Sequence, residues 1–315
     1  MRMNSHYSFG IDTSNYKTSV AIVDTEGNII CNFQKYLDVK KGERGLRQSA
    51  ALFQHVNNLP ALVQEAFDMV KEHGKIDCVC VSERPRPQAG SYMPVFNAGV
   101  SAGKMLAAAL DAAYLAFSHQ EGHIEAVKHD SPLKDTEQMI SFHFSGGTSE
   151  ALLVDGESIE IVGGSKDLAF GQVLDRVGVA LGMDFPCGQE LDELAIGHPA
   201  PQQNLLPKIK CQNGYINLSG IETKCQRMID EGKDIALVPM LFQRLGQSIE
   251  DMTKQLRDKY DIRDFLFAGG VSSSSYIKNM LRTDLSQLNI CFGEPALSTD
   301  NAVGIARLGG KKIWL

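Results

Sequence analysis

Hydrophobic runs and polar breaks succeed one another along this chain in a pattern that occurs twice. Tyr7 to Ile30 reads as a strand, a polar loop (Asp12-Thr13-Ser14-Asn15), a strand (Ser19-Val20-Ala21-Ile22-Val23), a turn (Asp24-Thr25-Glu26-Gly27-Asn28) and a further strand. Met139 to Val162 gives the same succession. There Ile140-Ser141-Phe142-His143-Phe144 is followed by the loop Ser145-Gly146-Gly147-Thr148-Ser149, by Ala151-Leu152-Leu153-Val154, by the turn Asp155-Gly156-Glu157-Ser158 and by Ile159-Glu160-Ile161-Val162. Short β-branched runs joined by Gly, Asn and Asp turns are hairpin signatures. The recurrence predicts a duplicated fold with one phosphate-type loop in each half, although two unrelated meanders would show the same rhythm.

Between and after these blocks the period changes to that of helices. Gly45 to His73 carries helical spacing (Leu46, Ala50, Phe53, then Leu62, Ala66, Met69, Val70), and Pro60 predicts a break into two helices. Ile76 to Val81 reads as a buried strand, and Arg84-Pro85-Arg86-Pro87-Gln88-Ala89-Gly90 as a loop. Asn97 to Ala112 is an Ala-rich helix in which Gly99, Ala102 and Gly103 permit close packing. Asp167 to Gly182 is helical and stopped by its glycine. Ile235 to Tyr260 is a long helix, Phe265 to Ala268 a short strand, and a last helix starts near Asn301. Ala200 to Tyr215 reads as a surface excursion. Alternating strands and helices define an α/β fold.

The chain has 315 residues, about twice a common domain length, so two lobes are expected. With 31 basic and 38 acidic residues the net charge is -7, which excludes a polybasic nucleic-acid binder but leaves room for a local basic patch. Seven cysteines, odd in number and without a C-x-x-C pair, fit neither a zinc ribbon nor a disulfide framework. Cys78 and Cys80 would share one strand face as buried thiols. The opening residues lack the apolar core of a signal peptide, and the longest apolar stretch, Met105 to Phe117, is too short to span a bilayer. These features predict a soluble, reducing, cytoplasmic setting.

The sharpest chemical signal is His119-Gln120-Glu121-Gly122-His123. Two imidazoles four apart on a helix share a face and can reach one metal ion; surface or capping histidines would show the same spacing. Glu121 points about 200° away from His119 on a regular helix, so it is badly placed to activate a metal-bound water as a protease glutamate does. A complete site needs an oxygen donor from elsewhere in the chain. Ser145-Gly146-Gly147-Thr148 and Gly269-Gly270-Val271-Ser272 both follow apolar runs, where glycines let backbone amides approach an anion. The second loop leads into a helix whose N-terminus could face a phosphate or a purine edge.

Taken in order, these pieces resemble one family over nearly the whole chain. Gly10-Ile11-Asp12-Thr13-Ser14, His119 to His123, Ser145-Gly146-Gly147, Asp167 through Gly171 to Asp175, Leu218-Ser219-Gly220-Ile221-Glu222-Thr223, Gly269-Gly270-Val271-Ser272 and Ser298-Thr299-Asp300-Asn301 are similar to the motifs of the TsaD family, the tRNA N6-threonylcarbamoyladenosine transferases once labelled glycoproteases. The resemblance implies the duplicated actin/hexokinase/Hsp70-like (ASKHA) α/β fold, two lobes with a central cleft. It places the N-terminal lobe at 1–130, with a C-terminal helix at 299–315 returning to it, and the C-terminal lobe at 131–298. It implies one divalent metal ion, iron or zinc, held by His119, His123 and Asp300. It implies an adenine nucleotide or acyl-adenylate at Ser145, Gly146, Gly147, Asp167, Gly171, Gly188, Gly269 and Gly270. The activity implied is transfer of threonylcarbamoyl from its adenylate to N6 of the adenosine beside the tRNA anticodon, with tRNA and proteins of that pathway as partners and no membrane.

The sequence also departs from the family pattern. An acidic C-D-E-T becomes Asn15-Tyr16-Lys17-Thr18, a G-P-G loop becomes Arg84-Pro85-Arg86-Pro87, and a histidine after S-G-G becomes Thr148. Leu168 stands for a second aspartate, Gln172 for a glutamate, Cys187-Gly188-Gln189 for G-G-P, and Ser274 for an asparagine. Arg84, Arg86 and Lys17 are candidates for an anion- or tRNA-contacting patch. These departures fit two further readings: a non-catalytic scaffold paralogue, or a different nucleotide-dependent transferase or kinase on the same fold.

Overall fold

The computed structural model describes residues 5–14, 16–39, 46–70, 74–88, 90–156, 158–198, 203–232, 236–298 and 300–315. Met1 to Asn4, Asn15, Gly45, His73, Ala89, Glu157, Ala200, Ile235 and Thr299, which fall within segments assigned above, lie outside the described residues. The chain divides into two compact units, Met1–Asp130 with Thr299–Leu315, and Ser131–Ser298.

The first unit begins with β1 (Ser5–Asp12), β2 (Lys17–Asp24), β3 (Ile29–Tyr36), α1 (Gln48–Asp68), β4 (Gly74–Arg84), α2 (Phe96–Leu110), β5 (Ala113–Ser118) and α3 (His119–Lys128). Its sheet runs β3-β2-β1-β4-β5. The β1–β2 and β2–β3 pairs are antiparallel and the β1–β4 and β4–β5 pairs parallel. The second unit follows with β6 (Gln138–Phe144), β7 (Ser149–Asp155), β8 (Ser158–Ser165), α4 (Phe170–Ala180), α5 (Gly188–Gly197), β9 (Tyr215–Ile216), α6 (Ser219–Asp230), α7 (Leu237–Tyr260), β10 (Asp264–Ala268), α8 (Ser275–Asp284), β11 (Asn289–Phe292) and α9 (Pro295–Ser298). Its sheet runs β11-β10-β6-β7-β8-β9. Read from β8, that order β8-β7-β6-β10-β11 repeats both the order and the strand senses of the first sheet, so the duplication expected from the sequence is present. The final helix, α10 (Val303–Trp314), belongs to the first unit.

Both faces of the first sheet are covered, which explains why β1 is a continuous buried run rather than an alternating one. Tyr7, Phe9 and Ile11 join Leu59, Leu62 and Ala66 of α1 and Ala98 and Ala107 of α2 in one apolar cluster. The opposite face is built of small side chains. Ser8 donates its hydroxyl to the Ala306 carbonyl of α10 at 2.7 Å, and Cys78 and Cys80 pack with Ile305. In the second unit Phe142, Phe267 and Phe292 stack with ring centroids 4.9 Å apart at each step, tying three adjacent parallel strands.

Pro60 does not break α1, contrary to the expectation of two helices. It sits on the exposed side of one continuous helix, where water can satisfy the carbonyl its missing N–H leaves free, while the buried face of His55, Asn58, Leu59, Leu62 and Ala66 holds the helix to the sheet. Phe53 and Met69, assigned above to the apolar spacing, are 69% and 51% exposed. The helix expected from Asp167 starts at Phe170, leaving Asp167 in the preceding loop. Leu206 and Ile209 anchor the described part of the 200–215 excursion in the core, so it is not purely superficial. All seven cysteines are free thiols, and among the described residues no helix is long and apolar enough to cross a membrane.

Candidate metal centre and glycine loops

α3 begins where it does because Ser118 caps it. The Ser118 hydroxyl accepts from the Glu121 amide at 3.2 Å, and the Glu121 carboxylate accepts from the Ser118 amide at 2.6 Å. This reciprocal box spends Glu121 on the helix start and leaves it no part in activating water. It also fixes His119 as the first helical residue and puts His123 one turn on, both on the same face.

The rings meet edge to face, Nε2 to Nε2 at 2.9 Å. Asp300, just before α10, brings Oδ1 to 3.3 Å from His123 Nε2 and 3.4 Å from His119 Nε2. Each of the three offers one ligand atom, and all of these atoms lie within 4.8 Å of one another. Separations near 3 Å are those of neighbouring ligands around an ion bonded at ~2.1 Å, so the residues present fit a divalent ion. A fourth residue sets the rings. Asp12, at the end of β1, is 1% exposed and accepts from His119 Nδ1 at 2.8 Å. Its other oxygen accepts from the Ser14 amide and the Ser82 hydroxyl, both at 2.8 Å. The His119 Nδ1–H is thereby held, and its Nε2 lone pair is turned toward Asp300 and His123.

The charges follow from this packing. Burial alone would lower His119, but the Asp12 and Asp300 carboxylates more than offset it and hold the imidazole up at about 10. Burial and the neighbouring His119 charge push His123 down. Burial would raise both carboxylates, yet the imidazoles hold Asp12 below and Asp300 well below the usual range. Two carboxylates facing two imidazoles form an anionic set once the rings are neutral, which suits a cation.

The glycine loops lie in the second unit. Ser145 to Thr148 follows β6 as a tight turn, the Ser145 hydroxyl accepting from the Thr148 amide at 3.0 Å. Gly269 and Gly270 follow β10, the parallel neighbour of β6. A Cβ on Gly269 (φ +90°) would meet the Phe144 carbonyl at 2.3 Å, so the two loops emerge side by side. Gly146, Gly147 and Gly270 are exposed, with nothing where a Cβ would point, whereas Gly171 is buried beneath Ser145 and Gly146 and serves that packing. Gly188 opens α5 with open space at its Cβ position.

Asp167 is committed within the protein. Its carboxylate accepts from the Leu168 and Leu218 amides, each at 2.7 Å, and from the Ser219 amide at 3.1 Å, which caps α6. Partial burial would raise it, but these hydrogen bonds hold it at about 2. A carboxylate depressed on folding adds stability above its ordinary value near 3.8 and loses it as pH falls toward about 2. Asp167→Ala is therefore expected to lower the thermal midpoint at neutral pH, and the gap from the wild type should close between pH 4 and 2, as scanning calorimetry across that range would read. At the N-terminus of α8, where the sequence suggests a phosphate or a purine edge, a carboxylate of the protein already takes up the first amides. Asp192 of α5 accepts from the Ser275 amide at 2.7 Å, the Tyr276 amide at 3.1 Å and the Ser274 hydroxyl.

The three candidate basic residues sit in different settings, Arg86 being exposed. The buried Lys17 donates to Gln34 at 3.1 Å and lies over the Tyr36 ring, and Arg84 pairs with Glu83 beside a hollow of about 420 Å³. Asp12 and Asp192 are the working carboxylates that sequence reasoning did not assign. The signal for Asp12 was present: a carboxylate closing the buried stretch of a strand must find partners inside the protein.

A β-β-β-α-β-α-β sheet duplicated in this strand order defines the actin/hexokinase-like fold. A ROK family glucokinase from Streptomyces griseus has the same fold, with a TM-score of 0.54 and 14% identity over 96% of this chain and 98% of its own. Within that class the sequence matches the family model for TsaD, tRNA N6-adenosine threonylcarbamoyltransferase, over residues 28–307, and the chain belongs to that family. Relatives bearing that name include one from Dictyoglomus turgidum, 29% identical over 96% of this chain and 92% of its own. Another, from Neorickettsia sennetsu, is 30% identical over 96% of this chain and 93% of its own.

Proposed function

We propose that this chain transfers a threonylcarbamoyl group from threonylcarbamoyl-adenylate to N6 of the adenosine adjacent to the tRNA anticodon. In that reaction the N6 amine attacks the carbamoyl carbon, the bond from that carbon to the phosphate oxygen breaks, AMP departs, and the amine gives up a proton to solvent. The observation that carries the reading is the meeting of His119, His123 and Asp300, from segments far apart in the chain, in a ligand set within a TsaD-family sequence. Iron or zinc held there would supply Lewis acidity for the threonyl end and for the carbonyl under attack. Asp12 keeps the Nδ1 proton on His119 and so preserves the ring orientation through turnover. The exposed backbone at Gly146, Gly147 and Gly270 is assigned to the adenylate, which needs amide donors and no side-chain bulk. Gly171 supports the first of these loops from behind, while Asp167 holds the start of α6.

The test is a reconstituted reaction of the chain with threonylcarbamoyl-adenylate, tRNA and the partner proteins of the pathway. Modified adenosine in digested tRNA is the expected product, and its absence with metal-loaded protein would defeat the proposal. A second reading, a scaffold that no longer transfers, draws on particular residues: Lys17 stands where the family has an acid and is turned onto Tyr36, and Leu168 replaces an aspartate. Absence of adenine-nucleotide binding by calorimetry would favour it.

A further inference from the structure

Three glycines stand beside the residues of the candidate centre, each where a side chain has no room. Gly122 lies between His119 and His123, Gly304 four residues beyond Asp300, and Gly10 two before Asp12. None has a positive φ, so space rather than backbone conformation is what requires glycine. A Cβ on Gly304 would meet the Gly122 carbonyl oxygen at 1.8 Å and the Ala126 amide nitrogen at 2.8 Å. One on Gly10 would meet the Ala302 carbonyl oxygen at 2.5 Å and the Ala306 amide nitrogen at 2.8 Å. These obstacles are backbone and cannot rotate away. One on Gly122 would meet Cδ1 of Ile305 at 2.8 Å, an atom of a side chain that can give.

We propose that Gly10, Gly122 and Gly304 are positioning residues that seat the start of α10 against β1 and α3 closely enough for Asp300 to share one cation with His119 and His123. The inference rests on the ion-binding reading above. Its magnitude is set by geometry. To ease the Gly304 contact from 1.8 Å to 3.4 Å, α10 would have to withdraw by about 1.6 Å. Asp300 Oδ1 now stands 3.3 and 3.4 Å from the two ring nitrogens. A withdrawal of that size along the same line carries it past ~4.2 Å, the widest separation of two ligands each bonded at ~2.1 Å to one ion. The carboxylate could then reach the ion only by straining α10 back against that clash, while the histidines stayed in place.

The test is titration of the purified chain with Co²⁺ alone, read by visible absorption. Gly304→Ala is expected to bind Co²⁺ about 10- to 100-fold more weakly, the loss typical when a ligand's support is removed, with an altered visible band and an unchanged far-ultraviolet spectrum. Gly309→Ala is the matched control: in the same helix its Cβ would meet Cys80 Sγ at 1.9 Å, well along from the ligands. It should lower the thermal midpoint and leave Co²⁺ affinity and spectrum alone. If Gly304→Ala does not fold, Gly122→Ala replaces it, with a smaller loss that Ile305→Ala in the same chain restores. Unchanged Co²⁺ binding in the folded variant, or an equal loss in Gly309→Ala, overturns the proposal. A wild-type chain that takes up no Co²⁺, or binds it as well after His123→Ala, overturns the ion-binding reading itself and this proposal with it.

Discussion

Asp300→Ala is expected to abolish stoichiometric binding of a divalent ion and to reduce tRNA modification more than ~100-fold, while the chain remains folded. The bound follows from comparison. Even a residue that only supports a metal ligand typically accounts for about 10–100-fold in affinity or activity. Asp300 is nearer than that: its oxygen lies 3.3 and 3.4 Å from both ring nitrogens and is the oxygen donor of the set. Folding should survive because the apolar packing of α10 runs through Val303, Ile305 and Ala306, which lie beyond the substituted residue. Metal content by mass spectrometry of the purified variant and product counting in digested tRNA are the two measurements. Retention of a full equivalent of metal would contradict the assignment.

The second large effect concerns stability. Arg307→Met is expected to destabilise the first unit by about 2–4 kcal/mol, read as a lowered urea midpoint. The guanidinium is 4% exposed and donates to the Gly27 carbonyl at 3.0 Å, the Ala126 carbonyl at 3.2 Å and the Asp130 carboxylate at 2.9 Å. Methionine fills much of the volume but leaves two carbonyls without their donor. By contrast Arg257 and Asp258, paired at 2.7 Å with side chains 31% and 67% exposed, lie where solvent screens the attraction. Arg257→Met should change the midpoint by no more than ~0.5 kcal/mol. Equal effects of the two substitutions would show that burial does not govern these pairs.

Much of the architecture was legible because its signals are local. The strand–loop–strand rhythm at Tyr7 and again at Met139 foretold the repeated sheet, since turn residues and β-branched runs act over a few positions. What failed did so where packing outweighs propensity. Pro60 reads as a helix breaker, yet its exposed placement makes the lost hydrogen bond tolerable. α4 starts three residues later than the sequence suggests, because Asp167 accepts from amides at the start of α6, more than fifty residues away. At the centre, the histidine spacing was readable on its own, whereas Asp300 came only through the family motif, because no periodicity links positions so far apart. Asp192 was invisible for the same reason.

The order in which the ligands are made has a consequence for biogenesis. A ribosome releases Asp12 early and the histidines well before the carboxylate at position 300, so a nascent chain can offer the imidazoles and Asp12 but not the third member of the ligand set. On the ion-binding reading proposed above, a firm grip on a divalent ion would therefore wait until translation has nearly finished. On the same reading, truncated products ending anywhere in the second unit would carry the two histidines without Asp300 and would compete only weakly for a divalent ion.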